Sequence, residues 1–158
     1  MLHPERLFVA GLLHDVGSLL LYNRVPETVR DLVLAARGNE GILHRTEHKA
    51  LGFSHAELGG MMLDEWQLPD ALRQAVRHHH DPAAAATHGR LEAAIVHIAD
   101  ALANHSEQGA FSAEPSAEVF IDDCAWPITG LTLTAELLNV LAGEGREQYR
   151  EAVNVLGA

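Results

Sequence analysis

The feature that most constrains this chain is a series of apolar helical stripes, each continued by an ionisable group. His14-Asp15, His55, His79-His80 and Asp100 stand where a leucine or valine would complete the pattern, and no segment shows the alternation of a β-strand. An all-α helical bundle is therefore expected. A charge or imidazole on a buried helix face is costly unless it is paired, hydrogen-bonded or bound to a cation. Several such groups meeting in one helical domain point to a pocket of mixed nitrogen and oxygen ligands for a divalent metal.

The stripes are read in order. Pro4 suits a helix opening, and Leu7, Ala10, Gly11 and His14 follow at i, i+3, i+4 and i+7. This helix runs to about Asp15 and, being apolar on its other faces too, is expected inside the bundle. Gly17 permits a break or kink before Leu19-Leu20-Leu21. Pro26 starts a second helix ending near Gly38, and Ile42 to Leu51 reads as a third, partly exposed. Ser54 and Glu57 have capping-box spacing. The helix they open carries His55, Leu58, Gly59, Met62 and Trp66 on one face, with Gly59 and Gly60 allowing close approach.

Pro69 opens the next helix, with Leu72, Ala75, Val76 and His79 on its apolar side and Asp70, Arg73 and Arg77 opposite. Asp81-Pro82 stops it, because the residue before proline avoids helical geometry. Pro82 to Gly89 is an alanine-rich connection, and Leu91 to Asn104 is a helix apolar nearly all round, hence central. Gly109 to Ser116 reads as a loop. A final helical pair, about Ala117–Cys124 and Thr134–Leu156, is broken at Pro127 and Gly130 and again near Gly143–Gly145. With no repeat and no strong internal boundary, residues 1–158 read as a single domain.

Each candidate donor has a purely structural alternative. Asp100 shares a face with Ala93, Val96 and Ala103, and could cap a helix or pair with an arginine instead of binding metal. His14 and Asp15 are adjacent, about 100° apart on a helix, so both reach one cation only at a helix end or kink. His55, in the first turn of its helix, could be a satisfied core histidine. Within His78-His79-His80 the stripe turns His79 inward, puts His80 at the border and leaves His78 on the polar side. The chain has 11 histidines, and His3, His44, His48, His88, His97 and His105 show no comparable convergence.

Composition removes other classes. With 22 acidic and 11 basic residues the formal charge is −11, which repels a phosphate backbone, so no nucleic-acid partner is expected. No apolar run is long enough for a membrane span. The first residues lack a secretion-signal pattern, and the single Cys124 suits a reducing compartment. A cytoplasmic location is expected.

The run Ala10-Gly11-Leu12-Leu13-His14-Asp15-Val16-Gly17 resembles the central motif of HD-superfamily metal-dependent phosphohydrolases. Glu47…Gly52-Phe53-Ser54-His55-Ala56-Glu57-Leu58-Gly59, Trp66-Gln67-Leu68-Pro69, Val76…His79-His80-Asp81-Pro82 and Val96-His97-Ile98-Ala99-Asp100-Ala101-Leu102 are similar to the HDOD branch, the HD-related output domains of bacterial signalling proteins. The resemblance implies an HD-domain-like helical bundle and a bacterial signalling role. By motif position it marks His14, Asp15 and Asp100 as core metal ligands. His55, His79 and His80 match positions that hold additional metal in the related cyclic-dinucleotide phosphodiesterases. The ion could be iron, manganese, nickel, zinc or magnesium.

Three departures temper the enzymatic implication. Ser18 stands where many HD motifs carry a lysine that could contact substrate phosphate, and Pro82-Ala83-Ala84 replaces the phosphodiesterase signature after His79-His80. The family's upstream helices, one bearing another metal-site histidine, have no counterpart here, so the domain reads as N-terminally truncated. Its first helix would then keep uncovered apolar surface, and a homo-oligomer is expected. The preferred reading is a non-catalytic output domain that acts on other signalling proteins and keeps a partial metal site. The alternative is a metal-dependent phosphohydrolase or phosphodiesterase, and a vestigial hydrogen-bonded core is a third possibility.

Overall fold

Local capping signals set most of the helix boundaries. The computed structural model describes residues 3–37, 39–105, 121–132 and 134–157. Its helices are α1 (Pro4–Leu13), α2 (Val16–Arg24), α3 (Pro26–Ala36), α4 (Glu40–Leu51), α5 (His55–Glu65), α6 (Asp70–Arg77), α7 (Arg90–Asn104), α8 (Ala125–Thr129) and α9 (Ala135–Leu156). There is no strand among the described residues, so the fold is all-α as expected. No helix is long and apolar enough to cross a membrane among the described residues. The expected loop from Gly109 to Ser116 lies outside them, as does the first half of the expected helix over Ala117–Cys124, whose described half, residues 121–124, is not helical.

Pro4 and Pro26 occupy first-turn positions, where the missing N–H is not needed. The Asn39 side chain accepts the Ile42 N–H at 2.9 Å, so α4 starts two residues before the expected Ile42. At α5 the capping box is complete, with Ser54 accepting the Glu57 N–H and Glu57 accepting the Ser54 N–H. Between Pro82 and Ala84 the connection makes one 3₁₀ turn.

The bundle centres on α5, α6 and α7. α5 packs between α2 and α6, α6 packs on α7, and α1 lies across α6 and α7. Ala10, Leu63, Leu72, Ala75, Val76 and Val96 form the main core. Ala94, Ile98, Ala125 and Trp126 form a second cluster under α9.

Four expectations change. α1 is not inside the bundle: Ala10 is buried, but Phe8 is 74% and Leu12 71% exposed, because α6 and α7 cover one side only. The chain breaks at His14-Asp15 and not at Gly17, which lies inside α2. The buried face of α5 is His55, Ala56, Gly59, Gly60 and Leu63 rather than the face through Met62 and Trp66, because the small residues meet α2 and α6. Finally, α9 runs unbroken through Gly143 and Gly145, while Cys124 caps α8 and Pro127 sits in its first turn. Glycine weakens a helix interior by about 1 kcal/mol but does not end it, and a first-turn proline forfeits no helical bond.

Gly17 serves closeness. A Cβ placed there would lie 2.1 Å from the His55 carbonyl oxygen and 2.7 Å from the Gly59 nitrogen. The absence of a side chain lets α2 press its backbone against α5, bringing Asp15 and His55 together.

Candidate metal centre

Two helix ends and two further helices aim donors at one point. α1 ends at Leu13 and α2 begins at Val16, so His14 and Asp15 occupy a turn and both side chains reach the same space. α6 likewise ends at Arg77, which lets His79 and His80 turn the same way with ring centres 4.1 Å apart. His55 enters from the first turn of α5, and Asp100 from the middle of α7. All six residues expected from the sequence therefore meet in one cluster.

The separations fit shared ions. His14 Nε2 lies 3.5 Å from Asp15 Oδ2 and 3.5 Å from Asp100 Oδ1. Asp15 Oδ1 lies 3.4 Å from His55 Nε2 and 4.0 Å from His79 Nε2. Ligands about 2.0–2.2 Å from a metal can be at most about 4.3 Å apart, and each of these pairs is within that limit. The triads His14–Asp15–His79, His55–His79–His80 and Glu40–His80–Asp100 each present donor atoms within 4.8 Å of one another.

The imidazole tautomers favour coordination. The His79 Nδ1–H donates to the Val76 carbonyl at 2.7 Å, and the His14 Nδ1–H to the Gly11 carbonyl at 2.7 Å. The His55 Nδ1–H donates to Glu47 Oε2 at 2.6 Å. In each ring the remaining nitrogen, Nε2, faces the cluster, which is the arrangement of a metal-bound histidine tied through its other nitrogen. His79 is fully buried, yet its Nε2 has no hydrogen-bond partner, and neither does Asp15 Oδ1. His97 contrasts with these. Its Nδ1–H donates to the His79 carbonyl at 2.6 Å and its Nε2 accepts the Asp122 N–H at 2.8 Å, so it is satisfied and structural.

Three contributors escaped the sequence reading. Glu47 is buried and accepts both the His55 ring N–H and the His55 backbone N–H, the latter at 2.9 Å. Glu40 Oε2 approaches His80 Nε2 at 3.9 Å. His44, set aside as unconverging, packs its ring 4.8 Å from that of His80. Once α4 starts at Glu40, residues Glu40, Leu43, His44 and Glu47 follow the i, i+3, i+4, i+7 rule, so the late start hid the signal.

Electrostatics show what the cluster lacks. Every ion pair that reaches it among the described residues is a histidine–carboxylate pair. Burial pushes Glu40 up to about 10, with the Asp100 and Asp15 charges adding to the effect. Burial works against protonation of His14, but the Asp100 bond and the Asp15 charge prevail and raise it to about 9. Burial and the neighbouring His55 hold His79 well below its usual range; burial and His79 do the same to His80. His79 and His80 are thereby held as neutral imidazoles, the form in which a metal binds them.

These shifts set a pH dependence for the metal-stripped protein. A group whose folded pKa is raised stabilises fully below its unfolded pKa, and that stabilisation fades as pH climbs to the folded value. For His14 the window runs from 6.5 to about 9, and Glu40 contributes the same sign from 4.5 to about 10. His79 and His80, depressed only in the folded state, act with the opposite sign, and their contribution levels off as pH rises past 6.5. The melting temperature in chelator should fall between pH 6.5 and 9; a flat or rising calorimetric profile contradicts the assignment.

With this geometry in hand, comparison with known proteins supplies the family. The HDOD domain family model matches residues 1–82, slightly more than half of the chain. The chain belongs to the HDOD domain family. The HDOD match takes in His14, Asp15, Glu40, Glu47, His55, His79 and His80, with Asp100 beyond it. A relative from Treponema pallidum (strain Nichols), described only as an uncharacterized protein, is 26% identical over 74 residues. That alignment covers 47% of this chain and 14% of the relative, so this HDOD chain spans a small part of that protein. No solved structure matches the chain significantly.

Proposed function

We propose that this HDOD domain is a bacterial, cytoplasmic signal-output module that holds a divalent-metal centre and acts through protein contacts rather than turnover. One observation carries the reading. All six expected residues meet in the cluster, yet the position one turn after Gly11-Leu12-Leu13-His14, where a phosphate-binding cation would stand, is the buried Ser18. His14, Asp15 and Asp100, extended by His55, His79 and His80, would hold the ion. Glu47 would orient His55. A hydroxyl in that place offers no charge to a substrate phosphate.

A second reading, a metal-dependent phosphohydrolase, is favoured by the Asp15 side chain, which is 41% exposed and gives solvent a route to the cluster. A bound divalent ion would there supply Lewis acidity and a water of lowered pKa. Assays of phosphate esters and cyclic dinucleotides with manganese, iron, nickel, zinc or magnesium separate the two. The output reading expects no turnover above that of the metal alone. Turnover abolished by Asp15→Ala replaces it with the hydrolase.

The exposed Phe8 and Leu12, one turn apart on α1, support self-association. Sedimentation at micromolar concentration should give a dimer that Phe8→Asp/Leu12→Asp converts to monomer. A wild-type monomer removes this part of the proposal.

A further inference from the structure

On the other side of α7 from the metal cluster, α7, α8 and α9 bound a cavity of about 580 Å³ that opens to solvent. Ile98 and Leu102, one turn apart on α7, line it. Asp100 lies roughly 200° round that helix from Ile98 and faces the cluster. Leu137 and Leu138 pack the start of α9 against the second core cluster. Farther along, Ala142 and Gly145 line the cavity, and a Cβ at Gly145 would meet nothing within 4 Å. α9 therefore spans the space without filling it.

The cavity has few polar groups. The Thr129 hydroxyl is occupied, donating to the Trp126 carbonyl at 2.7 Å and accepting the Leu131 N–H at 3.2 Å. Arg146 and Tyr149 share the face of α9 that carries Ala142 and Gly145, following the i, i+3, i+4, i+7 rule. Both stand toward solvent, Tyr149 at 49% exposure. Among the described residues no carboxylate lines the cavity, and none pairs with Arg146. In a chain of formal charge −11, that leaves a cationic mouth over an apolar interior. Trp126 lines the wall, is 7% exposed, and its indole N–H has no hydrogen-bond partner among the described residues. Native interiors seldom leave a buried donor in that state.

We propose that this cavity binds a small soluble carboxylate with an apolar tail, the tail against Ile98, Leu102 and Trp126 and the carboxylate on Arg146 and Tyr149. Small-molecule sites occupy about 300–1,000 Å³ and are mostly apolar, with a few placed polar groups that fix orientation. A guanidinium suits a carboxylate because its two parallel N–H groups match the two oxygens. The site shares no side chain with the metal cluster, so it stands whether or not that cluster holds an ion.

Isothermal titration calorimetry with decanoate, and with decanol as its uncharged counterpart, tests it. Wild type should bind one decanoate per chain, saturably and more tightly than decanol. Arg146→Gln should weaken decanoate about tenfold, the loss expected for one charge-assisted bond, and leave decanol unchanged. Gly145→Phe, which fills the cavity, should abolish binding of both probes while keeping the wild-type helical content in circular dichroism. Wild type that binds neither probe overturns the proposal and leaves the cavity to a second copy of the chain or to residues 106–120. Decanol bound as tightly as decanoate, or decanoate indifferent to Arg146→Gln, overturns the carboxylate assignment. Decanoate bound equally by Gly145→Phe overturns the site itself.

Discussion

Gly17→Ala should lower stability by about 3 kcal/mol or more and loosen metal binding at least tenfold. Overpacking a core typically costs about 1–3 kcal/mol when side chains can adjust. Here the added Cβ would meet two backbone atoms, the His55 carbonyl oxygen at 2.1 Å and the Gly59 nitrogen at 2.7 Å, and neither can rotate away. Relief requires α2 to move off α5 as a body. Because Asp15 caps α2 and His55 opens α5, that movement stretches the 3.4 Å approach of Asp15 Oδ1 to His55 Nε2. Gly11→Ala is the control of opposite sign. Its Cβ would meet nothing within 4 Å, and replacing glycine in a helix interior gains about 0.5–1 kcal/mol. Thermal melts of both variants check the pair, and equal shifts contradict the close-contact account.

Glu47→Ala should cost about 3–5 kcal/mol, the range for removing one partner of a buried ion pair. The Glu47 and His55 side chains are each 1% exposed, so water cannot replace the lost acceptor. Two His55 donors, the ring Nδ1–H and the backbone N–H, would be left without their partner. For a chain of this size that is a drop of roughly 10 °C in melting temperature. Releasing the ring should also weaken metal affinity by about 10–100-fold, as loss of a ligand-orienting partner does. A melting temperature within about 2 °C of wild type would show that Glu47 does not hold His55, since about 1 kcal/mol moves the transition by that much or more.

The six donors were legible because helix periodicity decides which way a side chain points. Asp100 amid Ala93 and Val96 could only face inward once its segment was helical, whereas His79, expected on the helix, faces inward from the turn that follows α6 at Arg77. The turn at His14-Asp15 was foreseen in kind, since two adjacent residues need a helix end to share an ion. Its cause was misplaced. Glycine announces conformational freedom, but whether Gly17 bends the chain or admits a neighbouring helix depends on α5, which is 38 residues away at its start.

Glu40 was lost to a boundary, and with it the stripe that gives Glu47 its inward place. Asn39 is an ordinary cap, yet placing the start of α4 at Ile42 left Glu40 outside the helix and removed the first member of the Glu40, Leu43, His44, Glu47 stripe. The continuous α9 was missed for the converse reason. Gly143 and Gly145 lower helix propensity, but ending a helix needs a residue whose geometry turns the chain, as Gly52 does at φ 85° after α4.

The central claim is that these helices build one divalent-metal centre. Elemental analysis of untagged protein, purified without chelator and desalted after exposure to zinc, manganese, iron or nickel, tests it most directly. The account predicts at least one tightly held ion per chain, lost in Asp15→Asn. Protein that stays metal-free after every exposure, or Asp15→Asn with unchanged metal content, would contradict it.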